Sequence, residues 1–594
     1  MRSTLLLIAL TLSSTARAAV PAPGAPAATA QPATPTNQDC LACHESAKHG
    51  EQDMVGRQGV VTALFGQSVH ASLDCVACHA GYTAPGPHEL AEPTDPAEKA
   101  LLARLRAGKT PGGEPRVKSP RAYLACGGCH GDTVESFQGS SHAKWLAADA
   151  PVAGPSCSSC HGTPHEVAAA PKRGTPEFRP YWAKLSRACE GCHNDPKFVA
   201  AAKLDEEVAV NYHDSIHGRL VAIGSQRAPL CTDCHAWSVR PPEGARKDVI
   251  GGGHATLSGK GVAASTVAFS EPPKDSDHRV QTCAQCHKGA SAGFAALIAH
   301  KPMQETGPIP HFVHVMFSYL TTLTLLFFAF HVLIDFLYEL RRRFGKKHHP
   351  VDASLLTRTV LRFDIHQRIQ HWLMLAGVIL LAITGWPLRG AGAVESIGMS
   401  DFAQRVESSR KFLALFGGPH GAGIVHRLAA VMIILSGVYH LFYLTFLAKK
   451  KTLPLSMVPT LKDAFDIRDN IAFMLGLRKE RPKFERYNYL EKFDYWAVFW
   501  GIIMMVGSGF IFWFPVQFAK ILPTFVLTSA QIVHGEEATL AAIFLFVVHF
   551  YNVHLKPSIF PMNWAWLNGQ TTLEYMKDEH AAEYERVFGD EERR

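Results

Sequence analysis

From residue 311 to 556 the chain is dominated by long apolar runs, whereas residues 19–310 are polar and rich in Gly, Pro and His. Five stretches in the second part reach the roughly 20 residues that a helix needs to cross a hydrocarbon core of about 30 Å. They are Phe312–Glu339, Ile369–Leu388, Ile424–Leu447, Tyr495–Phe514 and Ile532–Asn552. The pattern predicts a mostly α protein: a domain of short helices and loops with little regular sheet over residues 37–310, then an α-helical transmembrane bundle of five spans over 311–556. A polar tail over 557–594 completes the chain.

Charge placement orients these parts. Met1–Ala18 reads as a secretory signal, with Arg2 at its start, a short apolar core over Thr4–Leu12 and the small-x-small site Ala16-Arg17-Ala18. Residues 19–36 are rich in Pro and Ala and predict a linker. Arg341-Arg342-Arg343 and Lys346-Lys347 follow the first apolar stretch, and Lys449-Lys450-Lys451 with eight further Lys or Arg lie between the third and fourth. The connection Val516–Val533 holds only Lys520. Because Lys and Arg concentrate in cytoplasmic loops, this bias predicts a periplasmic first domain, a bundle in the bacterial inner (cytoplasmic) membrane and a cytoplasmic C-terminus.

Composition adds exclusions. With 594 residues, 47% hydrophobic and 19% charged, the chain is not disordered or collagen-like. The net charge of +7 is modest and no stripe of Lys and Arg carries interleaved aromatics, which argues against a nucleic-acid partner.

All 14 cysteines fall into one pattern, C-x-x-C-H, repeated seven times. The repeats are Cys40/Cys43/His44, Cys75/Cys78/His79, Cys126/Cys129/His130, Cys157/Cys160/His161, Cys189/Cys192/His193, Cys231/Cys234/His235 and Cys283/Cys286/His287. This is the c-type haem attachment pattern. Two thiols at this spacing each form a thioether to one haem vinyl group, and the adjacent His becomes the proximal ligand of the iron. Zinc ribbons would not need a His after every pair, and disulfides would need no fixed spacing. The expectation is seven covalent haems c, at about 40 residues each, too few for separate globular cores. The haems themselves would form the core and, packed closely, a row of redox centres.

The opposite face of each iron needs a second ligand. Residues 19–310 contain only Met54 and Met303, but ten His beyond the proximal seven. His70, His142, His165, His217 and His300 are the candidates, three of them in Ser-x-His sequences: Ser68-Val-His70, Ser140-Ser-His142 and Ser215-Ile-His217. His/His ligation lacks the rise in potential that Met/His gives, so low-potential haems are expected.

Histidines within spans mark functional sites. The third span carries His426 and His440, fourteen residues apart, and the fifth carries His534 and His549, fifteen apart. At 100° and 1.5 Å per residue each pair returns to nearly one face after a rise of about 21–22 Å. Two such helices suit two non-covalent haems b, one near each membrane surface.

Arg362…Arg368-x-x-His371-Trp372 followed by Ile383-Thr384-Gly385 resembles the first span of the cytochrome b subunits of respiratory formate dehydrogenases and nickel–iron hydrogenases. His426-Arg427, His534…His549-Phe550-Tyr551 and the tail Leu567-Asn568-Gly569…Glu574-Tyr575-Met576…Glu579-His580 resemble later parts of that family. The resemblance covers about residues 360–585. It implies a periplasm-side haem b on His426 and His534, a cytoplasm-side haem b on His371 and His549, and a menaquinone site near the latter. It also implies a spacing of fourteen, not fifteen, in the fifth span, and it leaves the first span with His331 outside the family region. Helical geometry favours His440 as the cytoplasm-side ligand where the resemblance favours His371. The whole arrangement, a multihaem c domain fused to a b module, is similar to inner-membrane quinol oxidoreductases of metal-respiring bacteria.

Three function classes follow. The leading one is a quinol:cytochrome oxidoreductase that takes electrons from the menaquinol pool through the haems b and c to periplasmic c-type cytochromes in anaerobic respiration. Asp364, His366, Asn552 and His554 are the candidate residues at its quinone site. A second is a relay, alone or as an oligomer, docked to a periplasmic dehydrogenase and feeding the quinone pool. A third is a multihaem reductase of a small nitrogen or sulfur substrate, which would need an iron with an open position.

Overall fold

The computed structural model describes residues 35–45, 60–79, 155–162, 165–169, 175–204, 207–235, 286–297, 303–344, 357–390, 399–447 and 456–589, with isolated positions between them. The predicted signal over residues 1–18, most of the Pro/Ala-rich segment, His300 and the side chain of Cys43 lie outside the described residues. The described parts form two compact units, one from residues 1–100 with 164–168 and one from 101–163 with 169–594.

The smaller unit starts with helix Asn37–His44, closed at its N-terminus by a capping box between Thr36 and Asp39. The Asn37 carboxamide then ties the first cysteine motif to the second. Its Nδ2 donates to the Leu73 carbonyl at 3.2 Å and its Oδ1 accepts from the Cys75 amide at 2.6 Å. The Val69 amide donates to the Val167 carbonyl at 2.9 Å, which brings a segment distant in sequence against the second motif.

In the larger unit, short helices precede the bundle, among them Cys157–His161, Phe178–His193, Val208–Asp214, Ile216–Ala222 and Cys231–His235. Several motifs sit within helical turns, which place both cysteines of C-x-x-C, at i and i+3, on one side. The recurrent Ser-x-His also has a local cause. Ser215 Oγ accepts from the Gly218 amide and starts the helix carrying His217, and Ser68 Oγ accepts from the His70 amide at 3.2 Å.

Five helices are long and apolar enough to cross a membrane: Pro308–Phe344, Ile365–Arg389, Gly418–Leu447, Tyr489–Trp513 and Thr524–Leu555. They are called spans one to five below. Each contains or overlaps one predicted stretch and all five start earlier; at spans two and four polar caps rather than the apolar limits fix the start. Asp364 and Gln367 exchange side-chain-to-backbone hydrogen bonds at the start of span two, as Asn488 and Glu491 do at span four. Large side chains such as Leu323, Leu326, Leu428 and Ile503 point outward and are more than half exposed, as expected of a bundle whose solvent is hydrocarbon. Inside, Phe328 of span one packs on Phe544 and Val548 of span five.

Span five widens into π-helical turns over Phe544–His549 and Tyr551–Leu555. A π turn takes up one more residue than an α turn. The extra residue between His534 and His549 is absorbed in the first of these, so fifteen residues do the work of fourteen and His549 lines the bundle's cavity.

A two-stranded antiparallel sheet, β1 (Thr359–Leu361) on β2 (Gln570–Thr572), fastens the tail to the chain just before span two. Buried ion pairs continue this join. Arg362 meets Glu583 at 3.0 Å, Arg481 meets Glu579 at 2.8 Å, and Lys556 meets Glu579 at 3.0 Å and Asp335 at 3.5 Å.

Candidate functional site

All five spans line a cavity of ≈ 3020 Å³, several times the roughly 300–1,000 Å³ of an ordinary ligand pocket. Histidines line it in two tiers. His426 of span three and His534 of span five lie within electrostatic reach of each other in the first. His371 of span two and His549 of span five do so in the second. His371 and Thr384, on one helix, fix the axial separation of the tiers at about 20 Å.

The first tier uses one device twice. Thr384 donates its hydroxyl to the Leu380 carbonyl at 2.6 Å, and its oxygen lies 2.9 Å from His426 Nδ1. Ser508 donates to the Met504 carbonyl at 2.7 Å, and its oxygen lies 3.0 Å from His534 Nδ1. Each hydroxyl proton is already committed, so each oxygen accepts from an Nδ1–H. That fixes the tautomer and leaves the Nε2 lone pair of both imidazoles available, as second-sphere partners do for metal-bound histidines. A glycine follows each hydroxyl residue. A Cβ on Gly385 would lie 3.2 Å from His426 Cε1, and one on Gly509 would lie 3.4 Å from His534 Cε1, so both rings rest on bare backbone.

The second tier is held differently. Asp494 Oδ2 lies 2.7 Å from His549 Nδ1, a carboxylate–histidine pair with Nε2 left over. His371 Nδ1 is buried with no protein partner, and the Trp566 ring lies 5.6 Å from the His371 ring. His440, by contrast, has both ring nitrogens engaged, Nδ1 with Gln370 Oε1 at 2.8 Å and Nε2 with Tyr495 OH at 2.9 Å. His331 of span one is bonded through Nε2 to Tyr489 OH at 2.6 Å.

Several buried polar atoms lining the cavity lack a protein partner: Arg219 Nε, Arg368 Nε, Glu537 Oε2 and Trp566 Nε1. Arg389 and Arg427 add cationic lining near the first tier, with Arg389 paired to Glu536 at 3.1 Å and Arg427 over the Trp513 ring at 6.0 Å. Flat, largely apolar groups with carboxylate edges, two in number and each between two imidazoles, match this donor set. A b-type haem is such a group, and the residues present fit it.

The residues predicted for a quinone site collect at the second-tier end. His366 Nδ1 is bonded to Tyr439 OH at 2.8 Å, and Asp364 Oδ2 accepts from Tyr443 OH at 2.6 Å. His554 lies against Phe550 and within electrostatic reach of His371, and the Asn552 amide donates to the Val548 carbonyl of its own helix.

Outside the bundle, two pairs of rings stand apart by a distance that has a chemical meaning. His79 of the second motif and His165 have ring centres 6.1 Å apart at an interplanar angle of 24°. His287 of the seventh motif and His217 are 6.2 Å apart. Two metal–nitrogen bonds of about 2 Å, plus roughly 1 Å from each nitrogen to its ring centre, require about 6 Å. Stacked imidazoles without an atom between them would sit closer. Burial pushes all four imidazoles toward the neutral form, and holds His217 at about 4. First cysteines of successive motifs also approach one another, as in Cys40 with Cys75, Cys126 with Cys157, and Cys189 with Cys231. His213 instead forms an ion pair with Glu190 at 3.2 Å, which raises its pKa. Among the described residues no cluster of three or more His, Cys, Asp or Glu forms a metal site made of protein alone.

Part of the motif set faces outward from the polypeptide. The second cysteines Cys78, Cys129, Cys234 and Cys286 are exposed, whereas Cys160 and Cys192 are half-buried. His130 is exposed as well; its amide donates to the Cys126 carbonyl at 2.8 Å, and its ring lies within electrostatic reach of His161. The cause is local. A helical turn as short as Cys75–Cys78 buries none of its own residues. So short a segment brings too little apolar side chain to cover both thiols and the imidazole after them, and the polypeptide leaves the later members of the motif facing outward.

Sequence reasoning did not single out Thr384 and Ser508 as holders of imidazoles, nor Asp494, nor the ions under the bundle. The repeated Thr-Gly and Ser-Gly pairs were the available signal for the first two. For the ions it was Asp335 and Glu339, spaced by four in an apolar span.

Residues 362–560, which contain both tiers, match the family model for prokaryotic cytochrome b561. A protein of Azospira oryzae carrying the name protein-methionine-sulfoxide reductase subunit YedZ1 is 26% identical over 153 residues, 25% of this chain and 69% of that protein. The bundle is thus similar to cytochrome b561-type membrane electron-transfer proteins, which bind b-type haems.

Proposed function

We propose that this protein oxidises menaquinol in the inner membrane and passes the electrons through two haems b and seven haems c to soluble periplasmic cytochromes in anaerobic respiration. One observation carries the reading: two imidazoles on facing spans, His426 and His534, each locked by a hydroxyl into the tautomer with a free Nε2 and lining one cavity. His371 and His549 are the ligands of the second haem b, because both nitrogens of His440 are already used. Haems held this way supply one-electron carriers spaced along the bilayer normal.

The chain's own residues do the rest. Arg219, Arg389 and Arg427 offset propionate charge at the first tier, and Arg368 does so at the second. The Tyr439–His366 and Tyr443–Asp364 pairs, beside the second tier, accept the protons that leave the quinol. The seven cysteine motifs attach the haems c, and the positive-inside charge bias favours the periplasm for them. Thiols that face outward, such as Cys78, Cys129 and Cys286, are open to the haem vinyl groups they would bond. The spare histidines close the distal positions, which leaves no open iron for reduction of a small substrate.

Pyridine haemochrome quantitation of the detergent-purified protein tests the reading. The expected ratio of haem c to non-covalent haem b is seven to two, with oxidation of a menaquinol analogue coupled to reduction of a soluble c-type cytochrome. Absence of non-covalent protohaem refutes it. A redox titration sets the direction: haems c above haems b mean outward flow, and the reverse order means delivery from a periplasmic dehydrogenase into the quinone pool.

A further inference from the structure

Two separate pieces of the chain outside the bundle dock on it, and both lead back to the same pair of histidines. The first is helix Ile216–Ala222. His217 sits in its first turn, after the cap of Ser215, and the following Gly218 is forced by contact, since a Cβ there would collide with the Tyr212 carbonyl oxygen. The far end of this helix is fixed to the bundle. Arg410 Nε donates to the Ala222 carbonyl at 2.7 Å, and Ile223, 3% exposed, packs on Leu388, Leu413 and Ala422 around the start of span three.

The second piece follows His287. Ser291 Oγ donates to the Ala519 carbonyl at 3.2 Å, and Thr524 Oγ1 approaches the Gly293 carbonyl at 3.4 Å, on the connection between spans four and five. A Cβ on Gly293 would lie 2.8 Å from the Ala519 oxygen, so the approach leaves no room for a side chain. One imidazole is therefore anchored over spans two and three and its counterpart over spans four and five. Their ring centres are 6.2 Å apart. Ile216, Arg219 and Leu220, from the helix that carries His217, also line the membrane cavity that holds His426 and His534.

We infer that the haem of the seventh motif, held between His287 and His217, is the junction through which the membrane pair exchanges electrons with the other haems c. The inference rests on the haem c reading above. The helix that carries His217 borders both the His287–His217 pair and the cavity. The transfer is a single electron with no proton: the ferrous iron of the first-tier haem b becomes ferric as the ferric iron on His287 and His217 becomes ferrous. Arg219, on the helix of His217 and lining the cavity with a buried, unpartnered Nε, would be placed to meet a haem propionate.

The test uses the full-length protein in detergent. His217→Ala keeps both cysteines of the motif, so seven haems c per chain are expected by haemochrome. Electron paramagnetic resonance of the oxidised protein is expected to show one high-spin c-type iron. Rapid mixing with a menaquinol analogue is expected to reduce the haems b at the normal rate and the haems c at least tenfold more slowly. His165→Ala is expected to produce its own high-spin iron, facing His79. Should His217→Ala not accumulate, His217→Met keeps a ligand and is expected to raise the midpoint potential of one haem c only. A wholly low-spin His217→Ala protein, unslowed haem c reduction in it, or a His217→Met protein with unchanged potentials overturns the inference. A wild-type protein without haem c overturns instead the reading beneath it.

Discussion

Replacing Thr384 with Val isolates the contribution of one hydroxyl to a haem site. Thr384 is buried and nearly the size of Val, so the change opens no cavity and removes only the oxygen that accepts from His426 Nδ1. Two things follow. The Nδ1–H is left buried without an acceptor, at a cost of about 1–3 kcal/mol. The imidazole is also free to adopt the other tautomer, with its proton on the nitrogen that should bind iron. Losses of second-sphere partners elsewhere weaken metal binding by about 10–100-fold, the same range in free energy. The expected result is that one of the two haems b leaves the protein about 10–100-fold faster, measured by transfer to excess apomyoglobin, while the other leaves at the wild-type rate. Ser508→Ala, on the opposite helix, is expected to accelerate the same kinetic phase, because its partner His534 faces the same iron. Equal acceleration of both phases, or of neither, would show that the hydroxyls do not hold haem ligands.

Other substitutions separate further parts of the argument. His371→Ala is expected to halve the haem b content by haemochrome, whereas His440→Phe, which breaks only bonds to Gln370 and Tyr495, is expected to keep both haems; the opposite pattern would exchange their roles. Gly385→Val places methyl groups against the His426 ring and is expected to shift the midpoint potential or lower the occupancy of the first-tier haem alone, read by optical redox titration. Lys556 and Glu579 form a buried pair outside the spans, and each shifts the other: the carboxyl is held well below its ordinary 4.5 and the ammonium above its ordinary 10.5. The Glu579 contribution is complete above the ordinary carboxyl value and fades as pH falls through the depressed one. The Lys556 contribution is complete below 10.5 and fades as pH rises through the elevated one. Thermal unfolding in detergent should thus change little from the pair between about pH 5 and 10. Lys556→Met should cost about 3–5 kcal/mol at pH 7 by stranding Glu579, with Lys556→Met/Glu579→Gln recovering much of it.

The parts of the fold legible in the sequence are those with a single dominant cause. Exclusion of charge from hydrocarbon locates five spans, and the structure starts each of them earlier, in two cases where Asp364 with Gln367, or Asn488 with Glu491, caps the first turn. The placing of His534 and His549 along one side of span five is equally plain, because the helical repeat sets it. What stayed hidden depends on contacts between distant segments. His165 follows the fourth motif closely in sequence, but the Val69–Val167 backbone bond carries it to His79 of the second. The exposure of Cys78, Cys129, Cys286 and His130 is hidden for a related reason, since a motif fixes spacing and says nothing of what packs over it. The choice between His371 and His440 turns on Gln370 and Tyr495, which no spacing argument weighs. The π turns of span five are likewise a product of packing, since an extra residue in a helix has no sequence mark of its own.

The first span puts a condition on how the bundle can be completed. Its His331, Asp335 and Glu339 form a buried row down one face, answered by Tyr489, Tyr551 and Lys556 from later in the chain. An aspartate in mid-bilayer costs about 2.5–3.5 kcal/mol when nothing meets it. The ribosome delivers Lys556 only after all four other spans, so the earliest rod to reach the lipid waits longest for its counter-charge. Until then its acidic side must be sheltered by water, headgroups or the insertion machinery, and a nascent chain stopped before that lysine should be a substrate for membrane proteases rather than a smaller working bundle.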